Sequence, residues 1–305
     1  MGAPATSGST CSTPTATAAT PRAPGAERRA PSTRRPPMAL PDFAIIGAMK
    51  CGTTTLAAQL GAQDGVFVTT PKEPEFFSED ANYARGMDWY ASLYQGAAPG
   101  DLTGEGSTGL TKLPTHPEAA ARLHAANPEA RLIYLMRDPV ERAVSHYIHE
   151  WSQGVVSGDL DDALERLPEI AAYSRYDEQL APWRALFGAD AVLCLRMEDM
   201  KADPQAVLDR VAAHLGRPGA FAWREDLGPQ NVSAERIRKF PGYRLLVEHP
   251  IAAALRRALV PRGLRDRVKG RLRMRERPEP SDAARARLAG TVAGGVREWR
   301  AAAAG

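Results

Sequence analysis

Two short apolar runs each stop at a sharp turn and resume as a helix, and this repeated strand, turn and helix most narrows the folds open to the chain. The first run, Phe43-Ala44-Ile45-Ile46, ends at Gly47, and helical spacing begins at Thr53 with Leu56 and Leu60 on one face. The second, Arg131-Leu132-Ile133-Tyr134-Leu135-Met136, ends at Arg137-Asp138-Pro139. There Asp138 stands where an N-cap belongs, Pro139 suits a first helical turn, and Val140 to Trp151 keeps helical spacing. A third, Ala191-Val192-Leu193-Cys194-Leu195, runs into Glu198-Asp199-Met200 and a helix from about Pro204 to Leu215 that closes at Gly216. Strands alternating with helices predict an α/β fold of three layers, α/β/α, around a central, mainly parallel sheet. In such sheets ligands bind beyond the carboxyl ends of the strands, where the first two turns fall.

With 305 residues the chain is long enough for one large domain, expected over 41–305. Residues 1–40, rich in Ala, Ser, Thr, Pro and Arg with Glu27 as the lone acid, have no apolar periodicity and predict a disordered tail; a transit peptide is the alternative. Cys11, Cys51 and Cys194 form no close pair, so they suggest neither a disulfide framework nor a zinc site and suit a reducing, cytoplasmic setting. No apolar run approaches the roughly 20 residues of a membrane span. A net charge of +3 names no partner, but the chain turns basic late, with Arg256 to Arg277 dominated by arginine. A basic helical part is expected from about residue 245.

The turn Gly47-Ala48-Met49-Lys50-Cys51-Gly52-Thr53-Thr54-Thr55 combines what an anion site at a helix start requires. The glycines allow a tight turn, helix amides point at the ligand, Lys50 adds a full charge, and Thr53 and Thr54 carry hydroxyl donors. It is a P-loop-like arrangement, but in the nucleotide triphosphate P-loop the lysine follows the second glycine, whereas Lys50 precedes Gly52 by two places.

This order of residues resembles the 5′-phosphosulfate loop of sulfotransferases that use 3′-phosphoadenosine-5′-phosphosulfate (PAPS). Arg137-Asp138-Pro139-Val140-Glu141-Arg142-Ala143-Val144-Ser145-His146-Tyr147 is similar to that family's 3′-phosphate segment. The resemblance implies a cofactor site of Lys50, Cys51, Gly52, Thr53, Thr54 and Thr55 at one end and Arg137 and Ser145 at the other. Arg236-Ile237-Arg238-Lys239-Phe240-Pro241 looks like a basic loop closing over the 3′-phosphate, which adds Arg236, Arg238 and Lys239.

Within the family the likeness is strongest to the heparan sulfate branch and its bacterial relatives, on Lys72-Glu73-Pro74-Glu75-Phe76-Phe77 followed by Tyr83, Gly86, Trp89 and Tyr90. That branch uses the glutamate before the paired aromatics as general base, which implies Glu73, with Lys50 as its catalytic partner. The chemistry needs such a group, because a hydroxyl attacking sulfur must shed its proton. Glu75 competes for the role and, in an extended segment, would face the opposite side. Lys72, Glu105 and His146 are expected to touch the acceptor. Gly104-Glu105-Gly106-Ser107-Thr108 resembles the acceptor-side stretch, although Gly106 stands where the heparan sulfate enzymes carry a lysine.

The reaction implied is transfer of a sulfuryl group from PAPS to a hydroxyl or amine of a small metabolite, lipid or sugar, releasing 3′-phosphoadenosine 5′-phosphate (PAP). It calls for no metal, and the six histidines show no ligand pattern. Two other readings stay open. A P-loop kinase or NTPase has the same layout but places its lysine differently. A protein binding nucleic acid or anionic membrane would use the late arginines, although no nucleic-acid motif accompanies them. Nothing in the sequence sets the oligomeric state.

Overall fold

The computed structural model describes residues 40–228 and 278–303, with Gly2 alone from the amino-terminal stretch. Among the described residues five strands form one sheet: β1 (Phe43–Gly47), β2 (Val66–Val68), β3 (Leu102–Glu105), β4 (Arg131–Met136) and β5 (Val192–Arg196). The helices are α1 (Thr53–Gly61), α2 (Asp80–Tyr83), α3 (Met87–Ser92), α4 (Ala119–Ala126), α5 (Pro139–Gln153), α6 (Leu160–Arg166), α7 (Glu169–Ala172), α8 (Tyr176–Phe187), α9 (Met197–Ala202), α10 (Pro204–His214), α11 (Asp282–Thr291) and α12 (Ala293–Ala301). Among the described residues none is long and apolar enough to cross a membrane.

The strand order is β2-β3-β1-β4-β5 and every pairing is parallel. All five residues of β1 are buried, as are the last five of β4. Because neighbouring side chains on a strand point to opposite faces, that burial means both faces of the sheet are covered, the condition parallel sheets require. It also explains why these two strands read as unbroken apolar runs. β2 and β3 were not expected. Val66–Val68 has only three residues, and Leu102–Glu105 carries Thr, Gly and Glu, so neither shows the pattern of a buried strand.

From β1 the chain runs through α1 toward β2 on one side of the sheet. From β4 it runs through α5 to α8 toward β5 on the other. The adjacent pair β1 and β4 is therefore the switch point of the sheet, and a crevice opens at its carboxyl end. At the far end of the chain α12 packs along α8, and α11 along α5. Met38–Gly305 form one unit.

Candidate functional site

The turn after β1 is tight. The Cys51 N–H donates to Ala48 O at 3.2 Å, and both Lys50 (φ 72°) and Gly52 (φ 90°) take the left-handed conformation. For Lys50 that conformation costs about 1–2 kcal/mol, a strain typical of functional loops. At Gly52 a Cβ would meet Met200 Cε at 3.1 Å, so both backbone angle and space favour glycine. No side-chain hydrogen bond caps α1. Its first turn lines the crevice, an arrangement of the kind that suits an anion.

The turn after β4 is built differently. Asp138 Oδ1 accepts from the Glu141 N–H at 3.0 Å and Pro139 occupies the first turn, as its sequence implied. The backbone of Arg137 is held by Tyr176, whose hydroxyl donates to Arg137 O at 2.8 Å. The Arg137 side chain lies 3.4 Å from Glu141 Oε2. Arg142, one turn on, is fully buried, with Nε donating to Ser174 Oγ at 2.5 Å and Nη2 to Ile170 O.

A third group comes from the segment before α2. Glu73 Oε1 pairs with Lys72 Nζ at 2.7 Å and Oε2 accepts from Thr108 Oγ1 at 3.0 Å. Burial alone would raise the Glu73 pKa, but the Lys72 charge and the hydrogen bonds from Lys72 and Thr108 outweigh it and hold the carboxyl below its usual 4.5. It is a carboxylate at neutral pH. Lys72 also donates to Gly106 O at 2.7 Å. A Cβ on Gly106 would lie 3.5 Å from Lys72 Nζ, so the ammonium rests over that glycine.

These three groups meet in one cleft of about 860 Å³ at the switch point. Its walls include Lys50, Gly52, Thr53, Thr54, Thr55, Glu73, Arg137 and Ser145, together with Thr108, Lys112, Lys201, Met197, Met200 and Trp223. Four cationic side chains, Lys50, Lys112, Arg137 and Lys201, face two acids, Glu73 and Glu225, so the cleft favours an anion. A family model for the sulfotransferase domain matches residues 40–249. The chain belongs to the sulfotransferase domain family.

Similar proteins include human heparan sulfate glucosamine 3-O-sulfotransferase 6, 32% identical over 60% of this chain and 53% of its own length. The mouse 3-O-sulfotransferase 3B1 is 31% identical over 58% of this chain and 46% of its own length. The bifunctional heparan sulfate N-deacetylase/N-sulfotransferase 1 of Caenorhabditis elegans is 27% identical over 59% of this chain and 22% of its own length. The chain thus spans between about a fifth and a half of these relatives. A sulfotransferase structure from Alicyclobacillus acidocaldarius shares the fold, with 22% identity, a TM-score of 0.56 and coverage of 86% of this chain and 99% of that one.

Within this sulfotransferase fold several sequence expectations need correction. The Cys51 thiol points away from the cleft, 3.8 Å from the Tyr176 hydroxyl, and burial pushes its pKa up to about 11. With its amide donating to Ala48, it is a packing residue of the loop. Glu105 is fully buried and cannot touch an acceptor. Its carboxylate accepts from Tyr90 Oη at 2.8 Å and Ser107 Oγ at 2.5 Å, and burial raises its pKa to about 7. His146 is buried too, stacked on Tyr173 at 5.6 Å, with Nε2 3.4 Å from Glu150; burial lowers its pKa. Its place on the inner face of α5 sets that burial, whereas Ser145, one residue earlier, lines the cleft. Glu75 does not lie on the side opposite Glu73. With φ 51° the segment is not extended there, and the two carboxyl groups come near enough to perturb each other's titration.

Lys72 approaches the cleft only through Glu73. Arg236, Arg238 and Lys239 lie outside the described residues, as do the basic stretch Arg256 to Arg277 and nearly all of residues 1–40. Sequence reasoning missed Thr108, Lys112 and Lys201. The only signal for Thr108 was its place in the acceptor-side stretch, and single lysines in otherwise ordinary helix and loop contexts carry none.

Proposed function

We propose that this chain transfers the sulfuryl group of PAPS to a hydroxyl or amine of an acceptor, most consistently a sugar, and releases PAP. The observation that carries the reading is the convergence of Lys50, Glu73 and Arg137, from three separate segments, on one cleft at the switch point. The phosphosulfate would sit on the uncapped start of α1 with Lys50 beside it, and the 3′-phosphate would reach Arg137 and Ser145. Met197, Met200 and Trp223 supply an apolar wall suited to a purine ring.

In the reaction the acceptor oxygen or nitrogen forms a bond to sulfur as the sulfur–oxygen bond to the 5′-phosphate breaks, and that bond's electron pair stays with PAP. The acceptor proton passes to Glu73. Lys50 and the helix amides stabilise the charge growing on the bridging oxygen, the usual main source of rate in such transfers. Positioning in line supplies much of the remainder. The heparan sulfate relatives support a saccharide acceptor.

The test is calorimetry with PAP together with transfer from labelled PAPS to a panel of glycans and small alcohols and amines. Glu73→Gln should hold PAP affinity within about twofold and lower turnover by roughly 10²–10⁴-fold. Unchanged turnover would remove Glu73 from the role of base, and a failure of the wild-type chain to bind PAP would remove the donor assignment.

A further inference from the structure

The junction that carries Arg137 is tied from three directions to the carboxyl-terminal helices, beyond the residues that the family model matches. First, Glu141 stands between two arginines: Oε2 lies 3.4 Å from Arg137 Nη2, while Oε1 accepts from Arg285 Nη1 on α11. Second, Trp299 Nε1 on α12 donates to Glu198 Oε2 at 3.1 Å, and Glu198 Oε1 accepts from the Asp138 N–H at 3.1 Å. Third, α12 presses on the segment that carries Tyr176, the clamp on the Arg137 backbone. A Cβ on Gly295 would fall 1.9 Å from Ser174 O, so only glycine permits that approach.

We infer that α11 and α12 form a positioning element for the 3′-phosphate site, with Arg285 drawing the charge of Glu141 away from Arg137. This rests on the proposal above that Arg137 receives the 3′-phosphate. Glu141 carries the same sign as the phosphate and competes for the same guanidinium. By pairing with the other carboxylate oxygen, Arg285 offsets that competition and leaves Arg137 its donors for the ligand. Both Arg285 and Glu141 are more than a third exposed, so the effect is one of tuning rather than of folding.

The test compares PAP with adenosine 5′-diphosphate, which lacks the 3′-phosphate, by calorimetry on the full chain. The wild-type chain should prefer PAP, and Arg137→Ala should erase the preference. If Arg137→Ala leaves it intact, the assignment of the 3′-phosphate to Arg137 fails. Given that control, Arg285→Met should reduce the preference about threefold to fivefold, the scale of an exposed ion pair, with diphosphate affinity unchanged. Arg285→Lys should keep most of the preference. Glu141→Gln added to Arg285→Met should restore it, because the competitor has then gone. Equal loss for both nucleotides, or no change in the preference while Arg137→Ala removes it, would overturn the inference and leave the nucleotide reading standing.

Discussion

The two junctions that form the cleft follow the same path, strand to turn to helix, yet they present opposite chemistry. After β1 the helix start has no side-chain cap, two residues in succession but one adopt left-handed angles, and the loop meets the crevice with backbone and Lys50. After β4 the helix start is already satisfied by Asp138, the backbone is tied to Tyr176, and the junction meets the crevice with the side chains of Arg137 and Ser145. On the proposed reading, a helix start would serve an anion in two ways. Left uncapped it offers its own amides, and capped from within it becomes a rigid mount for a longer cationic side chain.

The comparison can be broken most severely at Lys50. Lys50→Ala should lower turnover roughly 10²–10³-fold, the scale of losing one transition-state donor, measured by single-turnover transfer from PAPS. An equal loss from Arg137→Ala would mean that the junctions do not differ in role. Arg137→Ala should instead act on affinity, weakening PAP by roughly 10- to 100-fold with a smaller change in the chemical step. A control away from both junctions sharpens the contrast. Glu105 keeps its proton to about pH 7 in the folded chain and loses it near 4.5 when unfolded, so the folded state binds more protons between those values. Stability should therefore fall as pH rises through that window, on the order of 3 kcal/mol, and Glu105→Gln should flatten the fall in chemical denaturation. The smallest effect belongs to the cap. Asp138→Ala should cost about 1 kcal/mol of stability, with no counterpart at the first junction, where no side chain caps the helix.

How much of this was legible follows from how local each signal is. Phe43 to Ile46 and Leu132 to Met136 are apolar runs ending in turn residues, and a strand buried on both faces writes that pattern directly into the chain. β2 and β3 did not show it, because three residues are too few for a period and a buried strand containing Thr103, Gly104 and Glu105 does not read as apolar. Lys50 and Arg137 were readable because anion sites at helix starts need particular residues at adjacent positions. Glu105 and His146 were misassigned for the reverse reason: a polar residue beside a motif looks the same in sequence whether it turns toward the cleft or into the core.

By itself the sequence determined the parallel α/β layout, the loop at Lys50, the capped turn at Asp138 and the charge of the cleft's two ends, all set by neighbouring residues and their backbone preferences. Only the tertiary structure decided that Glu73 stands over that cleft beside Thr108, that Glu75 turns to Ser78, and that Arg285 reaches Glu141 across 144 positions of the chain. Such contacts depend on which way each side chain leaves its helix or strand and on what packs against it, and neither is written in local spacing.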